Sequence, residues 1–259
     1  MKVCKDLVNQ RRIEVMRAVE ESNFITVEDL VKKFNVSPVT IRRDLQYWED
    51  QGAIIRNYGG ASLIQAFVED NDYAKTRFMK SIAKRAALYI EDGDVIFINS
   101  SKTAIMVMDY IKDKNVTIIT NHIKAAGDLD EGITLVYTGG EVKYPQNSMT
   151  GDFTLTALNN ITANKCFIGC SGLNENSVST GIMKEMLVNQ TMLNKTAGQK
   201  YILCDHTKVG LDYNFHFGDY GEIDYLITDI NADDKIISKI HNKYQTLNII
   251  KVEPLKVSE

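Results

Sequence analysis

Seven short apolar runs, rich in β-branched residues and without polar alternation, recur at 95–98, 116–120, 133–137, 166–170, 201–204, 225–228 and 247–251. Helical patterns at 103–112, 122–129, 151–160, 184–197 and 233–241 lie among them. A strand that reads as continuously apolar is buried on both faces, and strands spaced by helices pair in parallel. This pattern predicts an α/β domain with a Rossmann-like, mostly parallel sheet. A leading helix begins at Lys75, with Phe78, Ile82, Ala86 and Tyr89 at helical spacing, and stops at the turn cluster 91–94.

The first sixty residues follow another rule. Ile13, Met16 and Val19 return at a helical period. Thr26 stands as a cap before a second helix whose apolar face is Val27, Leu30, Val31 and Phe34, and Asn35 suits its left-handed end. Ser37-Pro38 then opens a third helix, with Ser at the cap and Pro at the first helical position. Ile41, Leu45 and Trp48 face the core, which turns Thr40, Arg43 and Tyr47 away and leaves Arg42 at the flank. Gly52 is expected to end this helix, and residues 53–60 read as a short hairpin. Two helices joined by a three-residue turn, the second starting with hydroxyls and arginines, fit a helix-turn-helix whose second helix enters the major groove N-terminus first. The plainer alternative is a small helical bundle with solvated arginines.

Composition bears on that choice. The 259 residues carry 30 Lys and Arg against 34 Asp and Glu, a net charge of −4, which argues against a protein that coats nucleic acid. The charge is uneven: residues 1–60 hold 10 basic and 9 acidic side chains, and residues 31–43 hold Lys32, Lys33, Arg42 and Arg43 with no acid. A specific reader of DNA remains compatible with the total. Four scattered cysteines suit reduced thiols, with Cys166 and Cys170 expected in the core, and nothing calls for a metal or another cofactor. No apolar run approaches the ~20 residues of a membrane span, and the chain is expected to be cytoplasmic.

In an open α/β sheet, ligands bind beyond the carboxyl ends of the strands. The predicted strands end in Asn99-Ser100-Ser101-Lys102-Thr103, Thr120-Asn121-His122, Thr138-Gly139-Gly140, Ser171-Gly172, Asp205-His206-Thr207-Lys208 and Thr228-Asp229. Hydroxyls, glycine amides and a lysine suit a phosphate or a polyhydroxylated ligand. Ordinary turns are the alternative for each loop taken alone.

Ser37-Pro38-Val39-Thr40-Ile41-Arg42-Arg43-Asp44-Leu45, then Trp48-Glu49 and Gly52, then residues 56–61, resemble the signature of DeoR-family bacterial transcriptional regulators. Trp48 stands where the family pattern has Leu. The resemblance implies a winged helix-turn-helix over 1–61, a linker over 62–74, and an effector-sensing and oligomerisation domain over 75–259 similar to ribose-5-phosphate isomerase. Its sensor features are Lys75 through Ala87, residues 92–94, Thr120-Asn121, Gly139-Gly140, Thr150-Gly151, Ser171-Gly172, Glu185, Asp205 and Lys208. The family's D-x-G-T-T phosphate loop is altered to Asn99-Ser100-Ser101-Lys102-Thr103, and its D-S-S-K to Asp205-His206-Thr207-Lys208. Lys102 either strengthens anion binding as a point charge or marks a changed or weakened ligand site.

The expectation is a non-enzymatic regulator, a repressor of carbohydrate genes. Its partners are operator double-stranded DNA and a phosphorylated sugar or related anionic metabolite, and its working form a homodimer or homotetramer. Ser37, Thr40, Arg42, Arg43, Tyr47 and Arg56 are the candidate DNA contacts, with Gly59 and Gly60 shaping the wing. Asn99, Ser101, Lys102, Thr103, Asn121, Gly139, Gly140, Glu185, Asp205 and Lys208 are the candidate effector contacts, Lys208 taking the phosphate. Two rivals stand beside this reading: a sugar-phosphate isomerase using Glu185, Asp205 and Lys208 as acid-base groups, and a DNA-binding protein blind to ligand.

Overall fold

The computed structural model describes residues 2–22, 24–50, 53–57, 59–63, 72–125 and 129–255. Two compact units divide the chain: residues 1–77 with 255–259, and residues 78–254.

The first unit holds three helices and a three-stranded sheet. Helix α1 (Lys2–Ser22) presents Val15, Met16, Ala18 and Val19 to a core completed by Leu30, Ile41, Leu45 and Trp48. Strand β1 (Phe24–Thr26) leads into α2 (Val27–Phe34). Thr26 caps α2 by accepting from the Asp29 amide at 3.1 Å, and Asn35 ends it at φ 50°. Ser37 does the same for α3 (Pro38–Asp50), accepting from the Thr40 amide at 3.2 Å. Strands β2 (Ile54–Asn57) and β3 (Gly60–Leu63) pair antiparallel, and β3 also pairs with β1. The expected hairpin at 53–60 is therefore displaced: its second strand begins at Gly60, which pairs with Asn57. A Cβ at Gly60 would lie 2.5 Å from the Ile25 carbonyl, so the β1 contact leaves no room for a side chain there. Gly52, expected at the end of α3, lies outside the described residues, as do residues 64–71 at the centre of the expected linker.

The second unit is organised by one seven-stranded parallel sheet, in the order β15-β14-β12-β9-β4-β5-β6. Its strands are β4 (Val95–Ile98), β5 (Val116–Thr120), β6 (Ile133–Tyr137), β9 (Lys165–Gly169), β12 (Lys200–Leu203), β14 (Tyr225–Asp229) and β15 (Asn248–Val252). All seven expected runs are in it, within a residue or so. Successive side chains go to opposite faces: Phe97, Ile168, Ile202 and Leu226 enter one core, while Ile96, Ile98, Phe167, Tyr201, Leu203 and Ile227 enter the other. That division explains apolar runs without alternation. Helix α4 (Asp72–Ala87), starting earlier than Lys75, packs Ile82, Ala83 and Ala86 against the second core, and Tyr89 falls beyond its end.

Three further helices come close to expectation: α6 (Asp152–Asn159), α7 (Met183–Asn194) and α8 (Asp234–Lys243). Two do not. The helix over 103–112 is an α-turn, α5 (Lys102–Ile105), that tightens into a 3-10 helix over Met106–Tyr110 and brings Val107, Met108 and Ile111 into the core. No described residue of 122–129 is helical, because this backbone is tied down elsewhere: the His122 amide donates to Thr120 Oγ1, and the Met149 and Ile123 amides bond the carbonyls of Asn121 and Asn147. The strand that holds it, β8 (Ser148–Thr150), pairs with β7 (Glu141–Lys143). A second small antiparallel sheet comprises β10 (Gly172–Leu173), β11 (Ser177–Thr180) and β13 (Phe215–Asp219). These strands are two to five residues long and lack the apolar runs that mark the large sheet.

Candidate functional site

In the first unit, burial of Ile41, Asp44, Leu45 and Trp48 fixes how α3 is turned. Arg42 and Arg43 are exposed, and among the described residues neither is ion-paired. The nearest acid in sequence, Asp44, is turned inward instead. It is 1% exposed and accepts from Arg11 Nε at 2.7 Å and Arg12 Nε at 3.4 Å. The same helix geometry that buries the core thus takes Asp44 off the face that carries the arginines.

Ser37 is exposed, and its hydroxyl lies 2.9 Å from that of half-buried Thr40. Tyr47 is 37% exposed but belongs to the seam with α1: it meets Trp48 edge to face, and Arg12 covers its ring at 4.2 Å. Arg56, on the hairpin, bonds Glu49 Oε2 at 2.7 Å. A groove of about 550 Å³ runs between α2, the flank of α3 and the hairpin turn. Lys32, Arg42 and Arg56 line it over a floor that includes Val31, Pro38 and Leu45, and Gly59 takes φ 85° at its turn. Arg42 and Arg43 consequently point to different places, one into this groove and one away from the core. Two residues outside the sequence-based set share the outer ridge of α3: Val39, 56% exposed, and Gln46, whose amide is held by Glu49 and Asp50.

In the second unit the chain runs from the central strand β4 outward to β5 and β6, then returns to build β9, β12, β14 and β15 on the other side. The reversal between β4 and β9 is the place where ligands enter such sheets. Asn99 stands there, 3% exposed, with its amide fully used: Nδ2 donates to the Gly169 carbonyl (2.8 Å) and Asn189 Oδ1 (3.0 Å), and Oδ1 accepts from the Gly169 amide (2.9 Å). These bonds hold the loop after β4, and the partner on α7, Asn189, lies 90 residues away in sequence. Lys102 is exposed beside it.

Several buried polar atoms on this edge have no hydrogen-bond partner among the described residues: Ser101 Oγ, Thr103 Oγ1, Asn121 Oδ1, Asp205 Oδ2 and Thr228 Oγ1. Leaving such groups unpaired is costly, so they mark where a polar ligand or solvent is to bond. Asp205, fully buried, bonds Thr207 through Oδ1, while Oδ2 faces Lys208 Nζ at 3.5 Å. Burial works against the charge of Lys208, but Cys170, Asp205 and Cys204 around it outweigh that and hold its pKa above the usual lysine value. The two buried thiols beneath are themselves paired, the Cys204 hydrogen bond drawing Cys170 down while burial pushes Cys204 up. Asp229, also fully buried, bonds the His206 amide at 2.7 Å and lies 2.9 Å from its Nδ1.

The remaining expected residues lie to the β5 and β6 side. Asn121 Nδ2 donates to the Met149 carbonyl at 3.0 Å and reaches Ser100 Oγ at 3.4 Å, joining the loops after β4 and β5. Gly139 and Gly140 take φ 70° and 112°, and a Cβ at Gly140 would fall 2.6 Å from the Thr150 carbonyl. Glu185 accepts from Ser148 (3.2 Å) and Thr180 (3.3 Å), and burial raises its pKa above the usual carboxylate value despite both bonds. Lys208 and the loop after β4 are two strand spacings apart, about 10 Å, which leaves room for a sugar as well as its phosphate.

Residues 11–67 match the model of the DeoR-like helix-turn-helix domain, and residues 76–230 that of the DeoR C terminal sensor domain. The chain is 30% identical to the HTH-type transcriptional repressor GlcR of Bacillus subtilis over 85% of its own length and 88% of the relative. It is 29% identical to the lactose phosphotransferase system repressor of Staphylococcus aureus, over 88% and 94% respectively. Among solved structures, a ribose 5-phosphate isomerase from Plasmodium falciparum aligns at 14% identity and a TM-score of 0.35, covering 51% of this chain and 52% of that one.

Proposed function

The chain belongs to the DeoR family of transcriptional regulators, and on that premise we propose that it represses carbohydrate-metabolism genes by binding operator DNA until a phosphorylated sugar or a related anion releases it. The observation that carries the DNA half is the pair of exposed, unpaired arginines at the start of α3, on a face from which Asp44 has been turned away. Arg43 is placed for guanine, which Arg contacts bidentately in the major groove. Arg42, Lys32 and Arg56 take phosphates, and Ser37 and Thr40 hydrogen-bond at the helix start. Residues 1–61 form the DNA-binding domain, 62–74 the linker and 75–259 the sensor. Paired chains reading two half-sites ~34–36 Å apart complete the arrangement.

For the sensor, the support is the set of buried oxygens without a hydrogen bond along the strand ends that also carry Lys208. Lys208 takes the phosphate, Thr103 and Asn121 bond the sugar, and Lys102 replaces a backbone contact with a point charge. Binding need favour one arrangement of the paired DNA-binding domains by only about 1–3 kcal/mol to change occupancy 5–150-fold. Isomerisation is disfavoured as the activity: among the described residues no hydrogen bond joins Glu185 to Asp205 or Lys208, and Glu185 is engaged by Ser148 and Thr180 instead.

A gel shift on the DNA upstream of the chain's own gene, with and without a panel of pentose and hexose phosphates, tests the proposal. Sequence-preferring binding that one sugar phosphate relieves is the expected result. Binding indifferent to sequence, or measurable interconversion of aldose and ketose phosphates, overturns it.

A further inference from the structure

Val39 is an apolar side chain left 56% exposed at the second position of α3. The buried face of Ile41, Asp44, Leu45 and Trp48 makes Val39, Arg43, Gln46 and Asp50 the ridge farthest from the core. On that ridge Gln46 is occupied, donating to Asp50 Oδ1 at 2.7 Å and Glu49 Oε2 at 3.3 Å. Val39 and Arg43 are the two members without a partner among the described residues, and they lie one helical turn apart, about 6 Å along the axis. The flanking charge is positive on balance: Lys32, Arg42 and Arg56 stand against Glu28 around the adjoining groove, and Glu49 pairs with Arg56. That charge fits a phosphate backbone rather than a second apolar protein surface.

We infer that Val39 is a specificity-determining residue that reads the 5-methyl group of a thymine in the major groove, within about two base pairs of the guanine contacted by Arg43. The inference rests on the DNA-binding reading above. Major-groove edges differ in donors and acceptors, but the thymine methyl is their one apolar mark, and an apolar side chain is what recognises it. The N-terminal end of the second helix reaches bases first, and Val39 stands there more than half exposed.

Selection of a random duplex library by the full-length protein, run in parallel with Val39→Ala and Arg43→Ala, provides the test. The wild type is expected to enrich a half-site with a fixed T near a fixed G, and Val39→Ala to keep the G while the T becomes degenerate. Replacing that thymine by deoxyuridine should weaken wild-type binding about fourfold per half-site and leave Val39→Ala unchanged. Because Val39 is exposed, the variant should unfold at the wild-type temperature, which separates lost reading from lost folding. Identical selected sequences for wild type and Val39→Ala, or an equal response of both to deoxyuridine, would overturn the role of Val39 alone. If the wild type enriches no sequence at all, the DNA-binding reading falls with it.

Discussion

Asp44 accepts a hydrogen bond from Arg11 Nε at 2.7 Å while only 1% exposed, so the acid that follows the paired arginines of α3 serves the joint between α1 and α3. Arg12 adds a second bond at 3.4 Å, and its carbonyl accepts from Trp48 Nε1 at 2.8 Å. Removing the charge leaves a buried amide beside two guanidinium groups. Asp44→Asn should therefore destabilise this unit by about 1–3 kcal/mol. Trp48 is the single tryptophan, so its fluorescence in a urea titration follows this unit. A change below about 0.5 kcal/mol would show that the joint is held by apolar packing instead.

Asn99 is a second case where polarity is set by a partner. Its Nδ2 donates to two acceptors, the Gly169 carbonyl and Asn189 Oδ1, so a carboxylate here would face oxygen on both. Asn99→Asp, which restores the residue of the family pattern, should lower stability by about 1–3 kcal/mol through those lost bonds. Thermal unfolding followed by circular dichroism checks this. An unchanged midpoint would mean that the loop relaxes at no cost.

Much of this architecture was legible because burial on two faces is written into the sequence. Ile96, Phe97 and Ile98 had to be apolar together, since alternate residues enter different cores. The caps at Thr26 and Ser37 were equally readable, being local. What was not readable depends on partners distant in sequence: Asn99 finding Asn189, or the backbone of 121–123 pinned to residues 147–149. Strands β7, β8, β10, β11 and β13 are two to five residues long, and none of them carries a run of apolar residues. Of the candidate site residues, the α3 face was set by helix geometry alone. The saturation of Asn99 and the engagement of Glu185 needed the tertiary structure.

Glu185 provides a pH signature. Burial raises its pKa above the ordinary 4.5, so the folded chain holds this proton more tightly than the unfolded chain does. Such a group carries no penalty below the unfolded value and costs stability as pH rises through 4.5 toward the folded value. Glu185→Gln should thus gain on the wild type as pH rises above 4.5 and show no gain well below it. Melting temperatures of the two proteins on either side of pH 4.5 decide it. A difference independent of pH would mean the carboxylate is as well solvated in the folded chain as in the unfolded one.

Arg43 and the groove cations should separate in a salt titration. Arg43→Ala is expected to cost about 1–3 kcal/mol on operator DNA and to relax preference at one base pair, with little effect on random duplex. Arg42→Ala and Arg56→Ala, placed for phosphate, should weaken operator and random DNA alike and lower the salt slope by about one each. Arg56→Ala also frees Glu49, which sits 2.7 Å away, so its loss should be the larger of the two. Fluorescence anisotropy at several salt concentrations distinguishes these patterns, and an unchanged slope for Arg42→Ala would remove it from the phosphate contacts.

In the proposed function Lys208 has the role toward the effector that Arg43 has toward the operator. Its ammonium lies 3.5 Å from Asp205 Oδ2, an oxygen with no hydrogen bond of its own, and its charge is upheld by its neighbours despite burial. A bound phosphate would gain a charge-assisted contact worth about 1.5–3 kcal/mol, so Lys208→Met should weaken sugar-phosphate binding about 10–150-fold. The same change leaves Asp205 without its cation, so the apo protein should also melt earlier. The ligand-induced rise in melting temperature, measured against each protein's own apo value, isolates the binding effect. Lys102→Ala is the control, because Lys102 is exposed and its removal uncovers no buried charge. If both lysine variants keep the full ligand-induced rise, the phosphate lies elsewhere on the sheet edge. If Lys102→Ala alone abolishes it, the altered loop after β4 holds the phosphate and Lys208 serves only to neutralise Asp205.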